Sequence, residues 1–256
     1  MSTRRAAILT IRKLDAKDVR NSLRNNVALI TGANRGIGLA IAQALTSEGC
    51  DLVITGRDQS ALHQASKALG RAACVLAVQC DVRDPQEVKA LFAAVKKRFH
   101  RLDVLVNNAG MAHANLSVAN LPLESWKQVI DTNLTGMFLV THAGLPLMKR
   151  GGAIVNNLSI AAKRVFAGSS AYNASKHGAL GFTNTLREEL RGRGIRVIAL
   201  LPGATDTAIW KTLWPKAPRK KMISPKTVAE AVVNALTLPP ESTLEELTIM
   251  PSAGTL

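Results

Sequence analysis

Tyr172 is the only tyrosine in a chain of 256 residues, and Lys176 follows it by four positions in AYNASKHG (171–178). On a helix, residues four apart share a face, so the phenol and the ammonium would be neighbours. The chemistry open to such a pair is proton transfer. A phenol with a pKa near 10 is a poor acid or base at neutral pH unless something stabilises its anion. Lowering that pKa by about three units takes roughly 4 kcal/mol of preference for the phenolate, which a close ammonium and a cationic ring could together supply. Taken alone, the pair also fits a core-edge tyrosine beside a solvated lysine.

A second chemical signal lies in TGANRGIG (31–38), where Gly32, Gly36 and Gly38 join the apolar run NVALIT (26–31) to the helical pattern GIGLAIAQALTSEGC (36–50). Glycines in such a turn let the backbone approach a pyrophosphate at the positive end of the helix. The spacing is G-x-x-x-G-x-G. At the end of a following strand an acid would bond a ribose 2′-hydroxyl, whereas an arginine accommodates a 2′-phosphate. Here the run reads VITGRD: Gly56, then Arg57, with Arg35 of the glycine turn directed to the same pocket. NADP(H) is therefore expected over NAD(H). Asp58 stands before QSALHQASKAL and suits a helix N-cap.

These groups need elements to position them. NVALIT, DLVITG (51–56), ACVLAVQCDV (73–82), DVLVNNAG (103–110), AIVNNLS (153–159), IRVIALLPG (195–203) and LEELTIMP (244–251) read as strands, separated by helix-length segments. Their near-continuous apolar character implies a parallel sheet covered on both faces, so the expected fold is one doubly wound α/β domain over residues 26–256. Residues 1–25 read as a basic, mobile arm. The formal net charge is +15. The basic stretch WKTLWPKAPRKKMISPK (210–226), broken by Pro215 and Pro218, is not expected to form a long helix. Cys50, Cys74 and Cys80, odd in number and without ligand spacing, suggest reduced thiols and no metal site. No export signal or membrane span is evident, so a cytoplasmic location is expected.

In this order, TGANRGIG, CDV, NNAG, DTNLTG, NNLS, YNASK and LPGATDT resemble the classical short-chain dehydrogenases/reductases from about Val27 to Pro251. The resemblance implies a Rossmann-type oxidoreductase using a nicotinamide cofactor. It assigns Asn133, Ser159, Tyr172 and Lys176 to catalysis: Ser159 to hold the substrate oxygen, Asn133 to hold a water linking Lys176 to solvent. It assigns Gly32, Asn34, Arg35, Gly36, Ile37, Gly38, Arg57, Asp81, Val82, Asn108, Ala109, Gly110, Pro202, Gly203 and Thr207, with Tyr172 and Lys176, to cofactor binding. Asp81 and Val82 would meet the adenine and Thr207 the carboxamide. Asn107 could instead tie strands together. Residues 204–224 fall where the family places a substrate lid, and their bases would steer anionic ligands.

The expected activity interconverts a carbonyl and a secondary alcohol on a small molecule by hydride transfer, with Tyr172 as general acid/base. A 3-oxoacyl-thioester reductase is the alternative, although the ending LTIMPSAGTL departs from the glycine-rich close of many acyl-carrier reductases. A cofactor-sensing protein would not need the four catalytic residues together. The charge and Trp210 and Trp214 raise nucleic-acid binding, but aromatics make up only 4% of the chain and no reading motif occurs, so no such partner is expected. A homodimer or homotetramer packed through helices 123–149 and 172–191 is expected by the same resemblance.

Overall fold

A computed structural model of the protein describes residues 23–70 and 74–254, so most of the expected arm, residues 1–22, lies outside the described residues. Seven parallel strands form one sheet in the order β3-β2-β1-β4-β5-β6-β7. They are β1 (Val27–Thr31), β2 (Asp51–Gly56), β3 (Val75–Gln79), β4 (Leu102–Asn107), β5 (Met148–Asn157), β6 (Arg196–Pro202) and β7 (Glu246–Ile249). The order reverses between β1 and β4. Such a switch point opens a crevice at the carboxyl ends of the strands, where ligands bind in open α/β sheets.

Strand residues serve two cores by alternation. In β1, Ala28 and Ile30 face α1 (Gly36–Ser47), α2 (Gln59–Ala68) and α7 (Pro225–Leu236). Val27 and Leu29 face α3 (Pro85–Phe99), α5 (Gly136–Gly144) and α6 (Ser170–Arg191). Every residue of β1 is buried, as a sheet covered on both faces requires.

The helices begin where the sequence supplies caps. Asp58 accepts from Ala61 N at 3.0 Å, the N-cap expected of it. Asp84 accepts from Gln86 N and Glu87 N ahead of α3, and Ser224 from Thr227 N ahead of α7. The helix α1 differs: its N-cap is Arg35, and no side chain caps it.

Several expected boundaries move: β4 ends at Asn107 and β7 shortens to Glu246–Ile249. β3 is shorter than residues 73–82, and β5 starts at Met148 because Leu102 pairs with it before the register slips to Val104 and Ala153. The expected single helix over 123–149 is α4 (Leu123–Ile130), a π turn (Asp131–Thr135) and α5, ending at Gly144 before a 3₁₀ turn that contains Pro146. Leu123, Trp126 and Phe138 are exposed on this pair of helices, where the expected homo-oligomer would pack.

The outer strands are held by a buried cation. From α6, Arg187 donates Nε to Val197 O (3.0 Å), one terminal nitrogen to Asn184 Oδ1 (2.9 Å) and the other to Glu245 O (2.7 Å). A lysine cannot reproduce this planar fork. Arg187→Lys should cost roughly 2 kcal/mol and lower Tm by about 4–8 °C in a thermal melt. An unchanged Tm would show that the three bonds are dispensable.

Candidate functional site

A cleft of about 1220 Å³ opens at the carboxyl ends of the strands. Gly32, Asn34, Arg35, Gly36 and Ile37 line it from the glycine turn, and Arg57, Asp81 and Val82 from the ends of β2 and β3. Asn108, Ala109 and Gly110 line it after β4, Ser159 after β5, Tyr172 and Lys176 from α6, and Pro202, Gly203 and Thr207 after β6. Gly38 and Asn133 alone among the expected site residues do not line it.

Gly38 acts from behind. A Cβ there would stand 2.5 Å from Gly32 O and against the Asn108 side chain. Gly32 and Gly36 adopt φ of +63° and +57°, which side chains rarely tolerate. The turn is further tied to the segment after β4. Thr31 Oγ1 accepts from Asn108 N and Ala109 N, both at 2.9 Å, and Asn108 Nδ2 donates to Thr31 O. The glycine cradle, the uncapped start of α1 and the exposed guanidinium groups of Arg35 and Arg57 around one cleft suit a phosphorylated dinucleotide.

Asp81 lines the cleft, but its carboxylate is clamped by Arg83 through Nε (3.0 Å) and a terminal nitrogen (2.6 Å). That hydrogen bond holds the carboxyl below its usual range. Asn107 turns away from the cleft: its Nδ2 donates to Thr141 Oγ1 and Asn156 Oδ1, and Asn156 Nδ2 to Thr183 Oγ1. It ties strands and helices together through its side chain as well as through its place in the ladder beside Asn156.

Tyr172 and Lys176 do share a face of α6, with Lys176 Nζ 5.7 Å from the centre of the phenol ring. The ammonium is 5% exposed and donates to Asn157 O at 3.0 Å. Burial pulls its pKa down to about 8. Burial pushes the Tyr172 phenol up, and what opposes that rise is a side-chain hydrogen bond with Ser159. Loss of water around the phenol outweighs its stabilising contacts, and in the protein alone the phenol is held protonated.

Asn133 sits in the π turn, fully committed to neighbours. Its Oδ1 accepts from Met111 N (2.8 Å), and its Nδ2 donates to Met111 O and Ser175 Oγ (both 2.9 Å). Ser175 Oγ in turn donates to Tyr172 O at 2.8 Å. This chain links the loop after β4 to the first turn of α6. A Cβ on Gly110 would lie 3.3 Å from Asn133 Oδ1 and 3.8 Å from Lys176 Nζ, so the two groups flank one small space. Sequence reasoning missed Thr31, Asn157 and Ser175, although each lies within or beside a quoted motif.

The segment over residues 204–224 closes on itself. Ile223 N donates to Ala204 O and Asp206 N to Ile223 O, pinching its base, while Arg219 pairs with Asp206. It holds two short turns, the α-helical Trp210–Leu213 and the 3₁₀ Arg219–Lys221, and no long helix, in keeping with the two prolines. Of its bases Lys211, Lys216, Arg219, Lys220 and Lys221, none lines the cleft.

The chain belongs to the short-chain dehydrogenase family: a family model of that description matches residues 26–218. It is 36% identical over 234 residues to an uncharacterized oxidoreductase of Staphylococcus saprophyticus, covering 90% of this chain and 98% of that one. Among solved structures, it is similar to a 3-ketoacyl-(acyl-carrier-protein) reductase from Brucella melitensis complexed with NADH (29% identity, TM-score 0.83, covering 90% of this chain and 99% of that one). An alcohol dehydrogenase from Thermococcus sibiricus complexed with 5-hydroxy-NADP aligns at 31% identity and TM-score 0.84, over 91% and 99% of the two chains. An actinorhodin polyketide ketoreductase with NADPH aligns at 36% and 0.80, over 91% and 98%. The protein is thus an oxidoreductase of the short-chain dehydrogenase family, and its relatives bind NADH, NADPH or an NADP analogue. Among the described residues no helix is long and apolar enough to cross a membrane.

Burying the Lys176 ammonium has a measurable cost. A fall from 10.5 to about 8 corresponds to roughly 3 kcal/mol of destabilisation while the group is charged in both folded and unfolded chains. That penalty is present in full below pH 8 and is relieved as pH rises from 8 towards 10.5, where the folded protein sheds the proton first. Lys176→Met should therefore raise Tm at pH 7, with the gap to wild type narrowing above pH 8. A variant less stable than wild type at pH 7 would show that the bond to Asn157 O outweighs the burial.

Proposed function

We propose that the protein interconverts a ketone and a secondary alcohol with NADP(H). The observation that carries this reading is the group at the cleft: a half-buried phenol bonded to Ser159, one helical turn from a buried ammonium. The cofactor, when bound, supplies or accepts the hydride. Arg35 and Arg57 hold its 2′-phosphate, while Gly32, Gly36 and the uncapped start of α1 leave room and free N–H groups for its pyrophosphate.

Ser159 and Tyr172 both donate to the substrate oxygen, polarising the carbonyl. In reduction, the phenol O–H bond breaks and its proton passes to the oxygen on which negative charge develops. Lys176 steadies the resulting phenolate. The phenol is held protonated in the protein alone, which is the state reduction needs. In alcohol oxidation the phenolate takes the hydroxyl proton. Asn133 and Ser175 position this group by fixing the start of α6 against the loop after β4. A water in the space beside Gly110 would connect Lys176 to solvent.

Tyr172→Phe should lower kcat for carbonyl reduction by about 10²–10⁴-fold, measured as NADPH oxidation, with the Kd for NADPH nearly unchanged. Wild-type activity in the variant would refute the assignment of the proton to this phenol.

For the cofactor, kcat/KM with NADPH should exceed that with NADH by about tenfold or more, because each charge-assisted bond to the 2′-phosphate is worth roughly 1.5–3 kcal/mol. The pair Gly56→Asp and Arg57→Leu should move the preference to NADH by supplying an acceptor for a 2′-hydroxyl. Equal kcat/KM values in the wild type would overturn the arginine argument.

A further inference from the structure

The cleft is divided by charge. Four of its charged lining groups, Arg35, Arg57, Asp58 and Asp81, stand around the glycine turn and the ends of β2 and β3, and Lys176 lies beneath Tyr172. Beyond Ser159 and Tyr172 the wall is built from Val165, Phe166, Ile209, Trp210, Leu213 and Trp214, and no charged side chain lines that half. Several of its polar side chains are occupied. Trp210 Nε1 donates to Thr205 O (2.8 Å), and Thr205 Oγ1 donates to Gly203 O (3.1 Å). With its amide nitrogen turned towards them, Asn115 donates to Ala167 O and Gly168 O at 3.3 Å.

This apolar lining continues to the protein surface. Val165 is 79% exposed and Trp214 44%, although both line the cleft. Apolar surface that runs from a catalytic cleft out to solvent is what a large apolar ligand would cover. A carboxylate or phosphate placed there would lose its hydration without finding a charged partner. Flat rings would gain area against the two indoles.

From this division we infer the substrate class of the reductase proposed above, a reading on which the inference rests: a bulky, uncharged ketone or its alcohol, with a flat aromatic or alicyclic body. The carbonyl lies at Ser159 and Tyr172, and the body lies against Trp210, Trp214, Val165 and Phe166. The bases of residues 204–224 do not line this wall, so they give an anionic body no direct partner there.

The test uses 2-acetylnaphthalene, its 6-carboxylate, butanone and acetoacetyl-coenzyme A as substrates with NADPH. A calorimetric titration with 2-ethylnaphthalene, which cannot be reduced, accompanies it. The expected result is a kcat/KM for 2-acetylnaphthalene at least about tenfold above that for butanone and about a hundredfold above that for its carboxylate. Trp214→Ser should remove most of the gain over butanone without changing the Kd for NADPH. Trp214→Arg should improve the carboxylate relative to the neutral ketone by about tenfold. Preference for butanone, the carboxylate or acetoacetyl-coenzyme A would overturn the substrate class while leaving the reductase reading in place. Absence of any turnover would remove the reductase reading. In that event, binding of 2-ethylnaphthalene to wild type but not to Trp214→Ser would uphold the apolar site, and no binding would overturn it.

Discussion

The ammonium of Lys176 is buried at the wall of the cleft, and the rest of the site depends on how it is held there. A buried cation persists only where an acceptor and a rigid surround hold it. Asn157 O at the end of β5 is that acceptor. The surround is the first turn of α6, which Ser175 and Asn133 fasten to the backbone of Met111. The π turn fits this arrangement: the extra residue in the helix breaks the regular spacing where Asn133 reaches both Met111 and Ser175. The phenol and ammonium of α6 and the serine after β5 are thereby held as a single unit.

The sheet topology then separates two chemistries along one crevice. On one side of the switch point, the ends of β1, β2 and β3 bring glycines, an uncapped helix start and two arginines together. On the other, the ends of β5 and β6 and the segment pinched between Ala204 and Ile223 bring apolar side chains, and no charged one, to the cleft lining. Tyr172 and Ser159 stand at the boundary. A phosphorylated dinucleotide and an apolar carbonyl compound could meet there without either entering the other's surroundings.

Much of this was legible in the sequence because its signals are local. Near-continuous apolar runs gave the seven strands, since residues such as Ala28 and Leu29 serve opposite cores and both must be apolar. The i, i+4 spacing placed Tyr172 and Lys176 together, and Asp58 read correctly as a cap. What could not be read depends on distant partners. Ser175 and Asn133 are 42 residues apart and Thr31 and Asn108 are 77 apart, so the hydrogen bonds that join them leave no mark in local spacing. The direction of the pKa shift at Tyr172 depends on burial, which no spacing reports. In residues 204–224 the bases were conspicuous, yet it is Trp210, Leu213 and Trp214 that line the cleft.

The most direct measurement of the central claim is the pH dependence of alcohol oxidation at saturating NADP⁺, with 1-(2-naphthyl)ethanol as substrate. If the phenol at Tyr172 exchanges the proton and Lys176 stabilises its anion once the positive nicotinamide is in place, kcat/KM rises with pH along a titration whose apparent pKa lies well below the ordinary phenol value near 10. A flat profile, or an apparent pKa at or above 10, would contradict the account.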